Sequence, residues 1–282
     1  MTSERFSIKA ERFLTTESIY LSNNSALVLG ITTRDGGVSR VPYATLNMGY
    51  HVKDHHEAVL ENRQRLGEDL KMPLENWVAG EQIHDTKITR VSENDRGKGA
   101  RDYDSVIKGT DGLYTTQSNL LLTACFADCV PIFFYTKKQP AVGVLHAGWK
   151  GTVGSIASKM IRIWHEELGI SPDDINVIIG PSIGPCCYEV DKRVLKQVQQ
   201  LDNDVDLKGV YHSSDRTGRY MLDLQGLNKR ILMNAGVPGQ NIHITNYCTG
   251  CRTDMFFSHR KENGKTGRIM GFIGIVKGDV KS

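Results

Sequence analysis

The chain has 282 residues, 39% of them hydrophobic and 24% charged, which is long enough to bury a sizeable core. Its 35 basic residues against 32 acidic ones leave a net charge of +3, too small a bias for a nucleic-acid or anionic-membrane binder. Residues 1–16 are polar and lack the apolar segment of a secretion signal, and no apolar run reaches bilayer length, so a cytoplasmic protein with reduced thiols is expected.

In chain order, the β-branched run at 26–33 predicts a strand that ends in the turn Arg34-Asp35-Gly36-Gly37. Asp54 is placed to N-cap a helix over about residues 55–66, where Val59, Arg63 and Leu66 share one face. That helix reads as surface-packed and carries no assigned chemistry. Residues 77–82 and 86–91 predict strands on either side of His84 and Asp85, and the charged stretch 93–104 reads as a solvated, mobile loop. Apolar runs follow at 120–127, 130–135 and 141–145. The last leads through a turn at 147–151 into a helix over 152–168 and then a β-branched run at 175–179. Strand, helix, strand in that order predicts parallel strands with a crossover. Beyond a loop at 181–190, helices are expected near 192–200 and 222–234, the second stopped by Ala235-Gly236, with a short strand at 242–245 and a final apolar strand at 268–276. Residues 202–218 read as polar and irregular. Without repeats, low-complexity tracts or linkers, the expectation is a single α/β domain over 1–282.

The chemistry gathers around residues 125–152. Cys129 and His146 stand at the ends of apolar runs, His146 at the carboxyl end of its strand, where α/β sheets bind ligands. His84 is a third candidate, in Glu81-Gln82-Ile83-His84. One thiolate and two neutral imidazoles suit tetrahedral zinc and leave its fourth position open to water or substrate, the catalytic pattern. A metal-free nucleophile pair of Cys129 and His146 is the chemical rival. Gly148 and Gly151, next to a helix start, suit an anion such as phosphate, although such turns also carry glycine for packing alone. Cys248-Thr-Gly-Cys251 has zinc-knuckle or redox spacing, but one such pair favours plain buried thiols.

Thr33-Arg34-Asp35-Gly36-Gly37-Val38-Ser39, Leu46-Asn47-Met48-Gly49, His51-Val52, Gln82-Ile83-His84, Ala127-Asp128-Cys129-Val130-Pro131, His146-Ala147-Gly148-Trp149, Cys187-Tyr188-Glu189-Val190 and Phe256-Phe257-Ser258-His259-Arg260 follow one another over nearly the whole chain. Together they resemble the YfiH/YlmD, or laccase-domain, family, whose members have been called polyphenol oxidases and purine nucleoside phosphorylases. The resemblance implies mixed β-sheets covered by helices in an α+β arrangement. It also implies a zinc site at His84, Cys129 and His146, phosphorolysis of adenosine, inosine, guanosine and methylthioadenosine, and hydrolytic deamination of adenosine. The chain departs from many members at Lys53 and Lys150, and His259, where some members have Tyr, is not carried over as a ligand.

For deamination, zinc would lower the pKa of a water for attack on purine C6, with Asp128 or Asp85 shuttling protons. For phosphorolysis, Arg34, Arg260 and Arg268 are candidates to hold phosphate, and Asn47 to hydrogen-bond the base or ribose. Two other classes stand beside this one. Copper-dependent phenol oxidation would suit these ligand types, but multicopper oxidases need many histidines and this chain has nine. A non-catalytic binding module conflicts with an open metal position. No obligate protein partner is evident.

Overall fold

The computed structural model describes residues 4–22, 24–201 and 205–277. In chain order these residues form β1 (Ser7–Ala10), β2 (Phe13–Thr15), β3 (Tyr20–Leu21), β4 (Ser25–Thr32), α1 (His56–Leu70), β5 (Trp77–Ala79), β6 (Ile88–Arg90), β7 (Gly112–Thr115), β8 (Leu121–Phe126), β9 (Val130–Thr136) and β10 (Ala141–Ala147). Then come α2 (Trp149–Val153), α3 (Ile156–Leu168), β11 (Ile175–Ile179), β12 (Glu189–Asp191), α4 (Lys192–Gln199), β13 (Tyr211–Ser213), β14 (Arg219–Leu222), α5 (Leu224–Asn234), β15 (Ile242–Ile244) and β16 (Ile269–Lys277).

Two large mixed sheets dominate. One runs β1-β2-β4-β16-β8-β5, with β3 on β4, and the other β15-β11-β9-β10-β7-β6. The middle strands are apolar without alternation because both of their faces are covered. On β9, Phe133 and Tyr135 point into a core between the sheets, with Leu29, Leu122, Phe126 and Ile273. Ile132 and Phe134 point the other way, onto Met160 and Trp164 of α3 and Leu227 of α5. The outer face of the first sheet, with Leu121, Met270 and Phe272, is covered by Leu66 of α1 together with Leu46, Met48 and Trp77. The architecture is therefore α+β, two stacked sheets with helices on both outer sides, as the family resemblance implies.

Several local expectations change. β10 and β11 are parallel, but each pairs antiparallel with β9, which lies between them. The crossover skips a strand because β9 has already occupied the edge of β10. The helix expected over 152–168 is two helices broken at Ser155, whose φ is 57°. Asp54 is not the N-cap of α1. His55 takes that place without a side-chain cap, and the Asp54 carboxylate accepts from Asn47 Nδ2 at 2.9 Å. The helix also runs on to Leu70. Residues 93–104 are tied down on their inner side: the buried Arg63 guanidinium donates to the Ala100 carbonyl at 3.0 Å and twice to that of Met48, at 2.9 and 2.7 Å. Part of the polar region 202–218 joins a small third sheet, β12-β14-β13, and no periodic pattern marks strands that short.

Candidate active site

The site lies where the two sheets come apart. The chain leaves β8 in one sheet and enters β9 in the other within Ala127-Asp128-Cys129, and Asp128 makes the corner at φ 85°. Cys129 thus precedes β9, and the carboxyl end of β10 lies alongside, with His146 opposite Pro131 and Ala147 opposite Val130. The segment between β5 and β6 carries His84 to the same point, with φ 61°. The ligand atoms of His84, Cys129 and His146 all lie within 4.8 Å of one another, Cys129 Sγ and His84 Nε2 being 3.9 Å apart. The two imidazoles meet edge to face, with centroids 4.8 Å apart.

Asp111, at the foot of β7, organises this group. Its Oδ1 accepts from His146 Nδ1 at 2.8 Å and from the His84 N–H at 3.0 Å. Its Oδ2 accepts from the N–H groups of Ile83 at 3.1 Å and Asp85 at 2.9 Å. One carboxylate therefore fixes the positive-φ turn that carries His84 and also the tautomer of His146, leaving His146 Nε2 for the site. Burial works against that charge, but the His146 hydrogen bond and the N–H donors outweigh it and hold the carboxyl below its ordinary range. Burial would likewise raise the Cys129 thiol, yet the His146 charge and the hydrogen bonds of both histidines bring it down to about 6. Burial disfavours charge on His146, and the Cys129 thiolate and Asp111 together raise it to about 9.

The donor set fits a tetrahedral metal. Bond lengths of about 2.1 Å to nitrogen and 2.3 Å to sulfur place a nitrogen and a sulfur ligand roughly 3.6 Å apart, near the 3.9 Å between His84 Nε2 and Cys129 Sγ. Gly148 abuts the same group: a Cβ on it would stand 3.0 Å from Cys129 Sγ and 3.2 Å from His84 Cδ2. The glycine of the His-Ala-Gly-Trp motif is thus needed for close approach to the trio. Its helix, α2, is five residues long, too short for the anion-binding turn the sequence suggested.

A cavity of about 410 Å³ opens over the trio. Trp149, Ile183, Tyr188 and Leu224 form an apolar wall, and His51, His259, Arg260 and Arg268 supply polar edges. Arg260 Cζ lies 5.2 Å from the Tyr188 ring centre, and its Nη1 donates to the Glu189 carbonyl at 2.7 Å. Arg268 Nη1 donates to the carbonyls of Thr266 and Gly267. His51 is open to the cavity on one side yet crowded by protein. That burial, reinforced by Arg268 and Arg63, lowers it to about 4, so it stays a neutral imidazole at pH 7. Burial, followed by the nearby Cys129 charge, raises the Tyr188 phenol and keeps it protonated.

The remaining candidates divide between the cavity and other places. Asp128 lines the cavity with both oxygens engaged, Oδ1 by Thr249 Oγ1 at 2.6 Å and Oδ2 by the Arg260 N–H at 2.7 Å, so it also ties two loops together at the cavity edge. Asp85 turns outward and accepts from its neighbour Thr86. Arg34 is off the cavity, paired with Glu262 at 3.0 Å and packed on Phe257. Asn47 is fully buried, its Oδ1 accepting from the N–H groups of Gly49 and Arg268, so it positions Arg268 and touches no cavity atom. Sequence reasoning passed over Asp111, His51, Trp149 and Tyr188. The signal for Asp111 was a lone carboxylate directly before the apolar strand Gly112–Thr115.

Residues 28–276 match the family described as multi-copper polyphenol oxidoreductase laccase. The chain is 44% identical over 253 residues to purine nucleoside phosphorylase YlmD of Bacillus subtilis (strain 168), covering 90% of each chain. It is 47% identical over 248 residues to the protein of the same name from Geobacillus stearothermophilus, covering 88% of this chain and 89% of that one. The crystal structure of YlmD from Geobacillus stearothermophilus superimposes with a TM-score of 0.91 at 42% identity, covering 97% of this chain and 100% of the other. With a family match over most of its length, relatives at 44% and 47% identity and a superposition at TM-score 0.91, the chain belongs to the YfiH/YlmD, or laccase-domain, family.

Proposed function

We propose that this protein is a zinc-dependent purine nucleoside phosphorylase that also deaminates adenosine. The observation that carries this reading is the cavity itself, about 410 Å³ and lined by a Cys/His/His donor set, two arginines and an apolar wall. The relatives named purine nucleoside phosphorylase support it. Cys129 Sγ, His84 Nε2 and His146 Nε2 would hold the zinc, which when bound supplies Lewis acidity and an acidified water.

The chain's own groups account for the rest. Trp149, Ile183 and Leu224 exclude water from one face of the base, and Tyr188 lends its ring to that wall. Arg260 and Arg268 offer cationic donors to phosphate, whose oxygen attacks the anomeric carbon as the bond to the purine nitrogen breaks and its electron pair passes to the base. The Tyr188 phenol, kept protonated, donates at Oη to charge that builds on the departing ring. Asp111 acts only through His146 and His84, as a positioning residue. Adenosine, inosine, guanosine and methylthioadenosine share the purine and ribose this wall would hold.

Phenol oxidation with copper is favoured by the description of the matched family alone. Against it, the groups of possible metal ligands among the described residues are one Cys/His/His set and one all-cysteine set, without a second histidine-rich cluster. Chromatography of nucleoside digests decides between these readings. In phosphate buffer, adenosine is expected to give adenine and ribose 1-phosphate, and in phosphate-free buffer inosine with little free base. If zinc-loaded protein leaves adenosine, inosine and methylthioadenosine unchanged in phosphate, the purine reading fails, and oxygen uptake with a phenol and copper would install the oxidase in its place.

A further inference from the structure

The four remaining cysteines outside the cavity form a cluster that the proposed reaction does not use. Cys186 Sγ lies 3.3 Å and Cys187 Sγ 3.5 Å from Cys251 Sγ, and with Cys248 all four sulfurs are within 4.8 Å of one another. We propose that Cys186, Cys187, Cys248 and Cys251 are a second metal site, a tetrathiolate that takes zinc and staples the loop carrying Ile183 and Tyr188 of the cavity wall to the segment whose Thr249 holds Asp128.

Four independent features support this. First, sulfurs at about 2.3 Å from a tetrahedral zinc stand roughly 3.8 Å apart, so a small adjustment of the present spacing would close the shell. Second, the ligands come from two segments some sixty residues apart that are already zipped side by side, with Ser182 bridged to Cys248 and the Thr249 N–H donating to the Ser182 carbonyl at 2.9 Å. Third, the Gly184 N–H points at Cys248 Sγ at 3.1 Å, a donor that favours thiolate. Fourth, glycines keep the space open. A Cβ at Gly250 would stand 2.9 Å from Cys187 Cβ and 3.1 Å from its Sγ, and one at Gly184 would press on Cys248 Cβ at 3.3 Å.

Plain buried thiols do not describe the group, because Cys186 and Cys251 are exposed and only Cys248 is buried. Four protein ligands close the coordination sphere, which marks a structural rather than a catalytic metal. On binding, four thiols lose their protons to solvent and no redox change occurs. The consequence reaches the cavity through neighbours of the cluster. Ile183 and Tyr188 line it from one loop, and Thr249 on the other holds Asp128.

The test uses full-length Cys129→Ala protein purified without chelator, in which the catalytic trio is broken and the cysteine cluster is intact. Elemental mass spectrometry should find about one zinc per chain in this variant. Its cobalt-substituted form should show the sulfur-to-cobalt charge-transfer absorption of a thiolate-rich site. Cys248→Ser/Cys251→Ser should lose this metal and melt at lower temperature. Should that double variant fail to fold, Cys129→Ala decides by itself. A metal-free Cys129→Ala protein whose four cysteines all react with a thiol reagent would overturn the proposal. So would an intact mass about 2 Da low from a disulfide, which needs sulfurs at about 2.05 Å. If wild type and Cys129→Ala carry the same single zinc, the second site stands and the metal assignment at the trio fails instead.

Discussion

Replacing Asp111 by Asn tests whether one carboxylate organises the candidate metal centre. The swap keeps shape and removes charge, and its cost follows from the four donors that Asp111 accepts, two on each oxygen. An amide presents one oxygen and one NH2. Whichever way it turns, the NH2 faces two N–H donors, either those of His84 and His146 or those of Ile83 and Asp85. Two hydrogen bonds to a charged acceptor are lost, at roughly 1.5–3 kcal/mol each. A total of about 3–6 kcal/mol is a large fraction of the 5–15 kcal/mol that typically holds a domain folded. The alternative that keeps His146 bonded sacrifices the turn carrying His84, so zinc affinity falls either way, by about 10–100-fold for loss of such a supporting carboxylate. Competition with a chromophoric chelator measures that affinity, with Cys129→Ala, which keeps only the four-cysteine cluster, as the reference for complete loss at the trio, and a thermal melt measures stability. If Asp111→Asn retains wild-type zinc affinity and melting temperature, the carboxylate does not position the histidines and the reasoning is refuted.

Two further outcomes follow from the same geometry. Arg260→Ala should weaken phosphorolysis more than deamination, because only phosphorolysis uses phosphate. The loss should be on the order of 2–4 kcal/mol in the transition state. Equal losses in the two reactions would assign Arg260 to holding the Glu189 carbonyl instead. In zinc-free protein, Cys129 should be alkylated with a pH midpoint near 6, since its charged neighbours stabilise the thiolate and protons suppress the reaction only below that value. Peptide mass spectrometry reads this site by site, and a midpoint near the ordinary thiol value of about 8.5 would remove the electrostatic account.

The chain by itself determined the elements whose cause is local. Val130–Thr136 and Ala141–Ala147 are legible as strands because an unbroken apolar run bounded by turn residues can only be buried on both faces. The candidate trio drew notice for a related reason: Cys129 and His146 are polar residues at the ends of such runs, where a group that becomes buried, as His146 does, needs a partner. Tertiary structure alone decided which partner each polar group found. Nothing near Asp111 in sequence announces four donors from residues 83–85 and 146, and nothing near Asn47 announces that it would serve the backbone of Arg268, 221 residues away. Arg34 and Arg260 look alike as cations in their motifs, but packing sent one to Glu262 and Phe257 and the other to the cavity. The same holds for the cysteines. Cys248 and Cys251 carry a weak pair signal, and only the bridge between residues 182 and 248 brings Cys186 and Cys187 to them. Backbone preference and apolar periodicity act over a few residues, whereas hydrogen-bond and ligand partners are chosen by whatever the completed sheets place within 3 to 4 Å.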